Sequence, residues 1–242
     1  MWQNNKVSVI FPTYNEKGSI RAAINDFYSS GYIDEIIVVN NNAAKGTDEE
    51  VKQTPAKIVY EPRQGFGYAI RKGLQEAIGD IIIISEPDGT FSGMDVIKLL
   101  AYSNDFDMVI GTRTTRELIW AGAYMRWPLR MGNVIVAKML EFLFNMPQMS
   151  DVGCTMRLIH RMPLQILIPK FKVTRSCFNP EMVMLAKLNN LKLIEIPVNY
   201  RKRVGESMGT KNIFNAVLLG FQMIMLIIKV RFLSYFNNDG SY

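Results

Sequence analysis

Two acidic residues, one residue apart, form the part of the sequence best suited to chemistry. Glu86 and Asp88 stand in the segment SEPDG, which directly follows an apolar run of four isoleucines. A carboxylate pair at the end of a buried strand can hold Mg²⁺ or Mn²⁺, because these cations take few protein carboxylates and complete their coordination with substrate oxygens. The simpler interpretation is an acidic turn closed by Gly89 that binds nothing. The pair predicts a cation that bridges a diphosphate, provided that other polar groups converge on it.

Polar and aromatic groups also follow the first two predicted strands. Pro12, Tyr14 and Glu16 lie in the segment FPTYNE, and Asn40 begins the segment NNNAAKGT. In an open α/β sheet, ligands bind at the carboxyl ends of the strands. We therefore expect these residues to lie around a nucleoside base and its ribose.

A glycine pair, Gly65 and Gly67, opens a predicted helix, where the main chain can come close to a phosphate. Gly67 is therefore a candidate cofactor-binding residue. The segment GFGYAI lacks the third glycine of the dinucleotide fingerprint and does not open the first βαβ unit. A nicotinamide-dependent dehydrogenase is not expected.

Alternating strands and helices must position these groups. Short apolar runs predict strands at residues 7–11, 36–39, 58–60, 81–84 and 108–110, with helices at 19–28, 68–78 and 96–102 between them. Short strands that are apolar throughout suit a parallel sheet covered on both faces. Residues 1–112 are therefore predicted to form one doubly wound α/β unit.

The second half of the chain is less regular. Helices are predicted at residues 133–144 and 180–189, and strands at 156–159 and 193–196. No internal repeat or low-complexity linker divides this region. No second independent domain is expected before about residue 212.

Composition and charge exclude several classes of protein. With 48% hydrophobic and 21% charged residues, the chain is globular, and two cysteines in 242 residues give no disulfide framework, which favours a cytosol-facing protein. Residues 1–112 hold 10 Lys and Arg against 15 Asp and Glu, whereas residues 113–242 hold 18 against 7. The basic half suits anionic lipid or a phosphorylated substrate. Nucleic acid is not expected as a partner, because no RNA-recognition, zinc-finger or basic-zipper pattern is present. The N-terminus lacks the features of a secretory signal.

The C-terminal region contains 17 consecutive uncharged residues, 212–228. Asn215, Gln222 and Lys229 are seven residues apart and form a narrow polar stripe on an otherwise apolar helix. Three interpretations stay open: a buried packing helix, a helix in the plane of a membrane with Lys229 and Arg231 at the headgroups, and a membrane-spanning helix.

Seven segments together resemble glycosyltransferase family 2, the inverting enzymes of GT-A fold, and especially its dolichol- or polyprenyl-phosphate sugar transferases. The resemblance covers about residues 6–212, and its segments are VIFPTYNE, IIVVNNNAAKGT, RQGFGYAIRKGL, GDIIIISEPDG, VIGTR, SDVGCTMRLIHR and YRKRVGES. It implies a mostly parallel central sheet with a nucleotide-binding N-terminal half and an acceptor-side C-terminal half. The catalytic domain would be residues 1–212, and residues 213–242 an apolar helix associated with the membrane.

The resemblance also assigns residues to the donor site. Pro12, Tyr14 and Glu16 match the family's first donor-nucleotide segment, and Asn40 stands where an aspartate usually contacts the base or ribose. Glu86 and Asp88 match the metal-binding Asp-x-Asp. Asn40 and Glu86 are departures, because Asn40 loses a charge and Glu86 is one methylene longer.

In the basic half, the resemblance places positive charge around the phosphates of donor and acceptor. Asp151 matches a family aspartate that would orient an arginine or accept a proton. Glu181 is a weaker candidate for a site residue, and His160 is expected to have a structural role. The arginines in matching segments are Arg113, Arg130, Arg157 and Arg203.

The expected function is transfer of a sugar, with inversion, from a nucleoside-diphosphate sugar to a polyprenyl phosphate at the cytoplasmic face of a membrane, with Mg²⁺ or Mn²⁺. One alternative is a polysaccharide or cell-surface glycan glycosyltransferase, whose sugar hydroxyl acceptor needs a base such as Asp151. Another is a non-catalytic nucleotide-sugar-binding membrane protein. Whether the chain forms a homo-oligomer is left open.

Overall fold

The computed structural model describes residues 1–123, 127–205, 213–237 and 241–242, and in them a single seven-stranded sheet forms the centre. Its spatial order is β3-β2-β1-β4-β6-β5-β7, and all neighbouring strands are parallel except at β6, which is antiparallel to β4 and β5. The strands are β1 (Val7–Thr13), β2 (Glu35–Asn40), β3 (Lys57–Tyr60), β4 (Ile81–Ile84), β5 (Met108–Thr112), β6 (Arg157–His160) and β7 (Leu193–Pro197). The doubly wound, mostly parallel α/β fold is confirmed.

Helices cover both faces of this sheet. In chain order they are α1 (Ile20–Tyr28), α2 (Thr47–Val51), α3 (Phe66–Glu76), α4 (Val96–Ala101), α5 (Trp127–Phe144), α6 (Arg161–Leu167), α7 (Phe178–Leu188) and α8 (Ile213–Ser234). α1 and α4 pack on one face, and α3, α5, α7 and α8 contribute to the core on the other.

The four isoleucines of β4 explain why its sequence is apolar without alternation. Ile82 and Ile84 belong to the core under α3 and α5, whereas Ile81 and Ile83 belong to the core under α1 and α4. All four are fully buried. Burying each such side chain contributes roughly 1.5–3 kcal/mol, so both layers are anchored on this strand.

A crevice opens where β1 and β4 part. β1 leads through α1 to β2 on one side, while β4 lies on its other side, so the connections that follow the two strands diverge. β4 accompanies β1 only over Val7–Ile10. Beyond that point Pro12 continues β1 in register with Val39 of β2 alone.

The first strand was predicted to end at residue 11, but β1 continues through Pro12 to Thr13. The carbonyl of Ile10 accepts a hydrogen bond from the amide of Ser85, on the β4 side. Pro12 has the same parity along the strand, so its nitrogen faces the side that β4 has left. No ladder hydrogen bond is lost there, and a proline is tolerated.

Several other elements differ from those predicted. α2 and α6 were not predicted, because elements of 5 and 7 residues carry too little periodicity. α5 starts at Trp127 instead of residue 133. The antiparallel placement of β6 between β4 and β5 was not anticipated either.

α8 is anchored to the domain by one face. Ile227 and Val230 are fully buried in the core that α5 and α7 share, and Met223 and Ile224 pack against it. Among the described residues, the stretch Phe214–Ser234 is the one helix that is long and apolar enough to cross a membrane. The proposed boundary near residue 212 lies outside the described residues.

Candidate functional site

The two carboxylates that follow β4 converge in the crevice. Asp88 is 1% exposed, and its Oδ1 accepts a hydrogen bond from the amide of Thr90 at 2.9 Å and another from the Thr90 hydroxyl. Glu86 Oε1 accepts a 2.6 Å hydrogen bond from the hydroxyl of Thr155, on the loop before β6. Each carboxylate therefore has one oxygen held by the protein.

The second oxygen of each carboxylate faces the same guanidinium. Nη2 of Arg203 lies 2.7 Å from Oε2 of Glu86 and also forms an ion pair with Oδ2 of Asp88. The chain at Arg203 is fixed by its neighbours, because the amide of Val204 donates to the carbonyl of Asp88 at 2.8 Å. Burial, and next the neighbouring Asp88 carboxylate, raise the pKa of Glu86, and Arg203 opposes the shift.

These residues fit a divalent cation. Two carboxylate oxygens point to one position, and Oδ2 of Asp88 is buried without a hydrogen bond, although it is paired with Arg203. In the part of the chain that the structure describes, no group of three or more His, Cys, Asp or Glu side chains is arranged to hold a metal ion. Mg²⁺ and Mn²⁺ suit such a sparse site, because water and substrate phosphate supply their remaining ligands.

The loop after β1 presents an aromatic ring at the crevice. Tyr14 is 37% exposed, and its carbonyl accepts a 2.6 Å hydrogen bond from the amide of Ala44, which joins the loops after β1 and β2. Oε2 of Glu16 accepts hydrogen bonds from the amides of Tyr14 and Asn15 at 2.6 and 2.8 Å. Glu16 therefore shapes its own loop, and Tyr14 is the side chain left available to a ligand.

Asn40, at the end of β2, already uses both polar atoms of its side chain. Nδ2 donates to Oδ1 of Asp48 at 2.7 Å, and Oδ1 accepts from the amide of Ala43 at 2.8 Å. The other oxygen of Asp48 accepts from the hydroxyl of Tyr60 at 2.8 Å. Sequence reasoning missed Asp48 and Tyr60, although Tyr60 could have been noticed as the last residue of a predicted strand.

Gly67 does not offer its main chain to a ligand, which corrects the role expected for it. Its amide donates to the carbonyl of Thr174 at 3.0 Å. A Cβ at this position would lie 2.6 Å from the carbonyl oxygen of Val173, and one at Gly65 would lie 2.3 Å from that of Thr174. These glycines permit the start of α3 to pack closely against the loop at Val173 and Thr174.

Arg113 and Asp151 form a buried, bidentate ion pair. Nε and Nη2 of Arg113 donate to the two carboxylate oxygens of Asp151 at 2.7 and 2.9 Å. Asp151 is fully buried, and its Oδ1 also accepts from the side-chain Nδ2 of Asn133 at 3.1 Å. Glu195 of β7, which was not predicted, accepts from the amide of Asp151 at 2.8 Å and from both the amide and the hydroxyl of Ser150 at 2.7 Å.

Arg157 lies inside the protein, so the phosphate-binding role expected for it is not supported. Its side chain is fully buried, and its guanidinium donates to the carbonyls of Val152, Cys154 and Asn179. Burial lowers the pKa of Arg157 to about 10. Through its hydrogen bonds to Val152 and Cys154, Arg157 holds the loop that carries Asp151 from inside the protein.

Of the remaining candidates, Glu181 serves packing and His160 lies away from the crevice, whereas the role expected for Arg130 stays a prediction. Arg130 is half-buried in the first turn of α5. Glu181 is buried in α7, where Oε1 accepts from the amides of Lys172 and Val173 and from the hydroxyl of Tyr242. His160 pairs with Ile81 at the start of β4, at the opposite end of that strand from Glu86.

Comparison with known proteins identifies the family. The profile described as "Glycosyl transferase family 2" matches residues 8–167. The low-salt glycan biosynthesis hexosyltransferase Agl6 of Haloferax volcanii is 28% identical over 210 residues, which cover 83% of this chain but only 49% of that protein. This chain thus spans about half the length of that relative. The dolichyl-phosphate beta-glucosyltransferase ALG5C of Trichomonas vaginalis is 25% identical over 245 residues, covering 92% of this chain and 71% of that protein.

Solved structures agree on the fold. Glucosyl-3-phosphoglycerate synthase of Mycobacterium tuberculosis, in complex with Mn²⁺ and UDP-glucose, superimposes with a TM-score of 0.71 at 15% identity, covering 93% of this chain and 79% of that one. The expected GT-A fold is confirmed by this likeness. Since the family profile spans two thirds of the sequence, the chain belongs to glycosyl transferase family 2 and is a glycosyltransferase.

Proposed function

We propose that this glycosyltransferase moves a sugar from a nucleoside-diphosphate sugar to a polyprenyl phosphate at a membrane surface, with Mg²⁺ or Mn²⁺ as cofactor. The observation that carries the proposal is the convergence of Glu86, Asp88 and Arg203 at the crevice between β1 and β4. The diphosphate of the donor would lie at this group, and its nucleoside would lie toward Tyr14 and Asn40. The membership of the family and the name of the Trichomonas relative support the donor and acceptor classes.

The bound cation would supply positive charge that stabilises the departing diphosphate. Arg203 would add a charge-assisted hydrogen bond to the same group, since its guanidinium already lies at the carboxylates. An acceptor phosphate is anionic near pH 7, so positioning and charge stabilisation suffice and no strong base is required. Inversion at the anomeric carbon follows from attack by the acceptor on the face opposite the leaving diphosphate.

The geometry of Asp151 favours the phosphate acceptor over a sugar hydroxyl. A general base must reach the proton that it removes. Both oxygens of Asp151 accept hydrogen bonds from Arg113, and Oδ1 accepts another from Asn133. Asp151 is also fully buried, so it is better placed to orient Arg113 than to deprotonate an acceptor.

The outer face of α8 supports attachment to a membrane in the plane of the bilayer. This face is opposite the buried residues Ile227 and Val230, and its large apolar side chains are exposed. A helix that is anchored on one face and apolar on the other suits the interface of a bilayer. The exposed apolar residues are Phe214, Val217, Leu218, Phe221, Met225, Ile228 and Phe232, and they define the outer face.

Lys229 and Arg231 border the outer face near the end of α8, and both are exposed. Such cations would interact with anionic headgroups on the cytoplasmic leaflet. Asn215 and Gln222 lie on the same side as Lys229, between the packed face and the outer face. We therefore place the polar stripe at the rim of the membrane-facing surface.

A transfer assay tests this proposal. Purified protein is incubated with UDP-, GDP- and dTDP-linked labelled sugars, with and without Mn²⁺, and with a short-chain polyprenyl phosphate or an oligosaccharide as acceptor. We expect metal-dependent transfer of label to the polyprenyl phosphate. Transfer to the oligosaccharide alone would contradict the proposal and support the polysaccharide alternative.

A further inference from the structure

We propose that Arg203 occupies the cation's position between Glu86 and Asp88 when no donor is bound, and must leave it before the two carboxylates can hold the metal. The inference rests on the proposed function, because it assumes that these carboxylates bind a divalent cation with a nucleoside diphosphate. It adds a competition within the protein between one side chain and the cofactor.

The first support is the position of a single nitrogen atom. Nη2 of Arg203 contacts Oε2 of Glu86 at 2.7 Å and Oδ2 of Asp88. These are the two carboxylate oxygens that Thr90 and Thr155 leave uncommitted. A cation bridging the same oxygens would require the space that Nη2 fills.

The second support is the way the main chain delivers Arg203. The amide of Arg201 donates to the carbonyl of Thr90, and the amide of Val204 donates to that of Asp88, both at 2.8 Å. This pairing holds the segment 201–204 along the turn that contains Asp88. The guanidinium is therefore presented to the carboxylates by the fold and not by chance contact of a long surface side chain.

Displacement would leave Arg203 beside the new ligand. The arginine side chain is about one quarter exposed, so it can turn away from the two carboxylates within the crevice while its main chain stays paired. A diphosphate bound to the cation offers anionic oxygens that replace the lost carboxylates as partners. Metal binding and diphosphate binding are thereby coupled, because each favours the conformation in which Arg203 has left the carboxylates.

Binding of Mn²⁺ in the absence of nucleotide tests the competition. We compare the wild type with Arg203→Met, which keeps an apolar stem of similar length, and with Arg203→Lys, which keeps the charge without the fork. Free Mn²⁺ is measured by electron paramagnetic resonance. Arg203→Met is expected to bind Mn²⁺ roughly tenfold more tightly, since the apparent affinity no longer includes the fraction of closed sites. Arg203→Lys should fall between it and the wild type.

Arg201→Met is the matched control for the general effect of removing a positive charge. Arg201 lies on the same segment, but its guanidinium contacts Asp26, Ser92 and the ring of Trp120. Its Mn²⁺ affinity should stay within about twofold of the wild type, because the carboxylates keep Arg203. If Arg201→Met and Arg203→Met bind Mn²⁺ more tightly by the same factor, the effect is that of a removed positive charge alone, and the inference is overturned.

Two further results would also overturn it: unchanged or weaker Mn²⁺ binding by Arg203→Met, or no Mn²⁺ binding by any of the proteins. The transfer assay separates this outcome from the proposed function. If the Mn²⁺ affinities of the variants follow the expected order but no sugar is transferred to a polyprenyl phosphate, the competition stands and the acceptor assignment fails. If transfer occurs but Arg203→Met binds Mn²⁺ no better, the function stands and the competition is wrong.

Discussion

Glu86 and Asp88 are held in different ways, although both are carboxylates in the same turn. Asp88 is buried and is fixed by Thr90, whereas Glu86 reaches across to Thr155 with a longer side chain. The family's usual aspartate at position 86 would be one methylene shorter. Position 88 should therefore tolerate change less well than position 86.

Asp88→Asn is expected to reduce kcat on the order of a thousandfold, because a cation at this site contributes several kcal/mol to stabilising the leaving group. Glu86→Asp should retain part of the activity, since it keeps the charge. Steady-state kinetics at saturating Mn²⁺ measure both effects. Wild-type activity in Asp88→Asn would place the metal elsewhere.

Asn40 departs from the family aspartate in a way that its neighbour explains. Its amide donates to Asp48 at 2.7 Å, so an aspartate at position 40 would bring two carboxylates together. We expect Asn40→Asp to lower the free energy of unfolding at pH 7 by about 1–2 kcal/mol. The double variant Asn40→Asp/Asp48→Asn restores one donor and one acceptor and should recover most of this loss. Urea unfolding measures it, and a stable single variant would show that the contact matters little.

Arg157 is expected to act on stability and not on substrate affinity. In Arg157→Met, the carbonyls of Val152, Cys154 and Asn179 lose a buried donor. The free energy of unfolding should fall by about 1–3 kcal/mol, while KM for the donor changes little in the folded fraction. Chemical denaturation and donor titration distinguish the two roles. A fully stable variant with weakened donor binding would restore the phosphate-binding role.

At the scale of an element, α8 has two faces with separate tasks. Ile227 is buried against the domain, so Ile227→Ala should lower the free energy of unfolding by about 2–5 kcal/mol. Phe221 is 59% exposed on the outer face, so Phe221→Glu should leave stability nearly unchanged and weaken binding to vesicles. Denaturation and vesicle co-sedimentation measure the two effects.

Met162 supplies the control for that pair. It is 74% exposed on α6, so Met162→Glu makes the same kind of change outside the outer face. Its vesicle binding should equal that of the wild type. If Phe221→Glu binds vesicles as well as Met162→Glu does, the outer face of α8 does not contact the membrane.

Because one face of α8 is buried, a truncation that removes this helix would affect folding as well as membrane binding. Removing everything after Lys211, which lies outside the described residues, would strip Ile227 and Val230 from the core. Loss of vesicle binding in such a protein would not separate anchoring from folding. Point substitutions on the outer face avoid this confusion.

At the scale of the whole molecule, the charge is divided between the two halves. Residues 113–242 carry 18 Lys and Arg against 7 Asp and Glu, and the exposed Lys229 and Arg231 belong to this half. Lys229→Ala and Arg231→Ala should each weaken binding to vesicles with anionic lipid by about 1 kcal/mol, and added salt should reduce the difference. Neutral vesicles should show almost no effect. Equal losses on neutral and anionic vesicles would contradict an electrostatic contribution.

Much of the architecture followed from local pattern, because burial on both faces of a strand leaves a direct trace in the sequence. The run Ile81–Ile84 predicted a covered parallel strand, and the acids after it were correctly expected at that strand's end. The position of β6 could not be predicted in this way. Its neighbours β4 and β5 lie about 75 and 50 residues earlier in the chain, and such pairing depends on which surfaces pack together.

The sequence by itself determined the chemical groups and the strand ends to which they are attached, since residue type and periodicity are local properties. Only the tertiary structure decided which groups face the crevice. It placed Arg203 at Glu86 and Asp88 by pairing segments more than 100 residues apart, and it buried Arg157 under the loop of Asp151. The sequence does not distinguish an arginine that donates to buried carbonyls from one that contacts carboxylates. The hydrogen-bond partners of each are set by long-range packing.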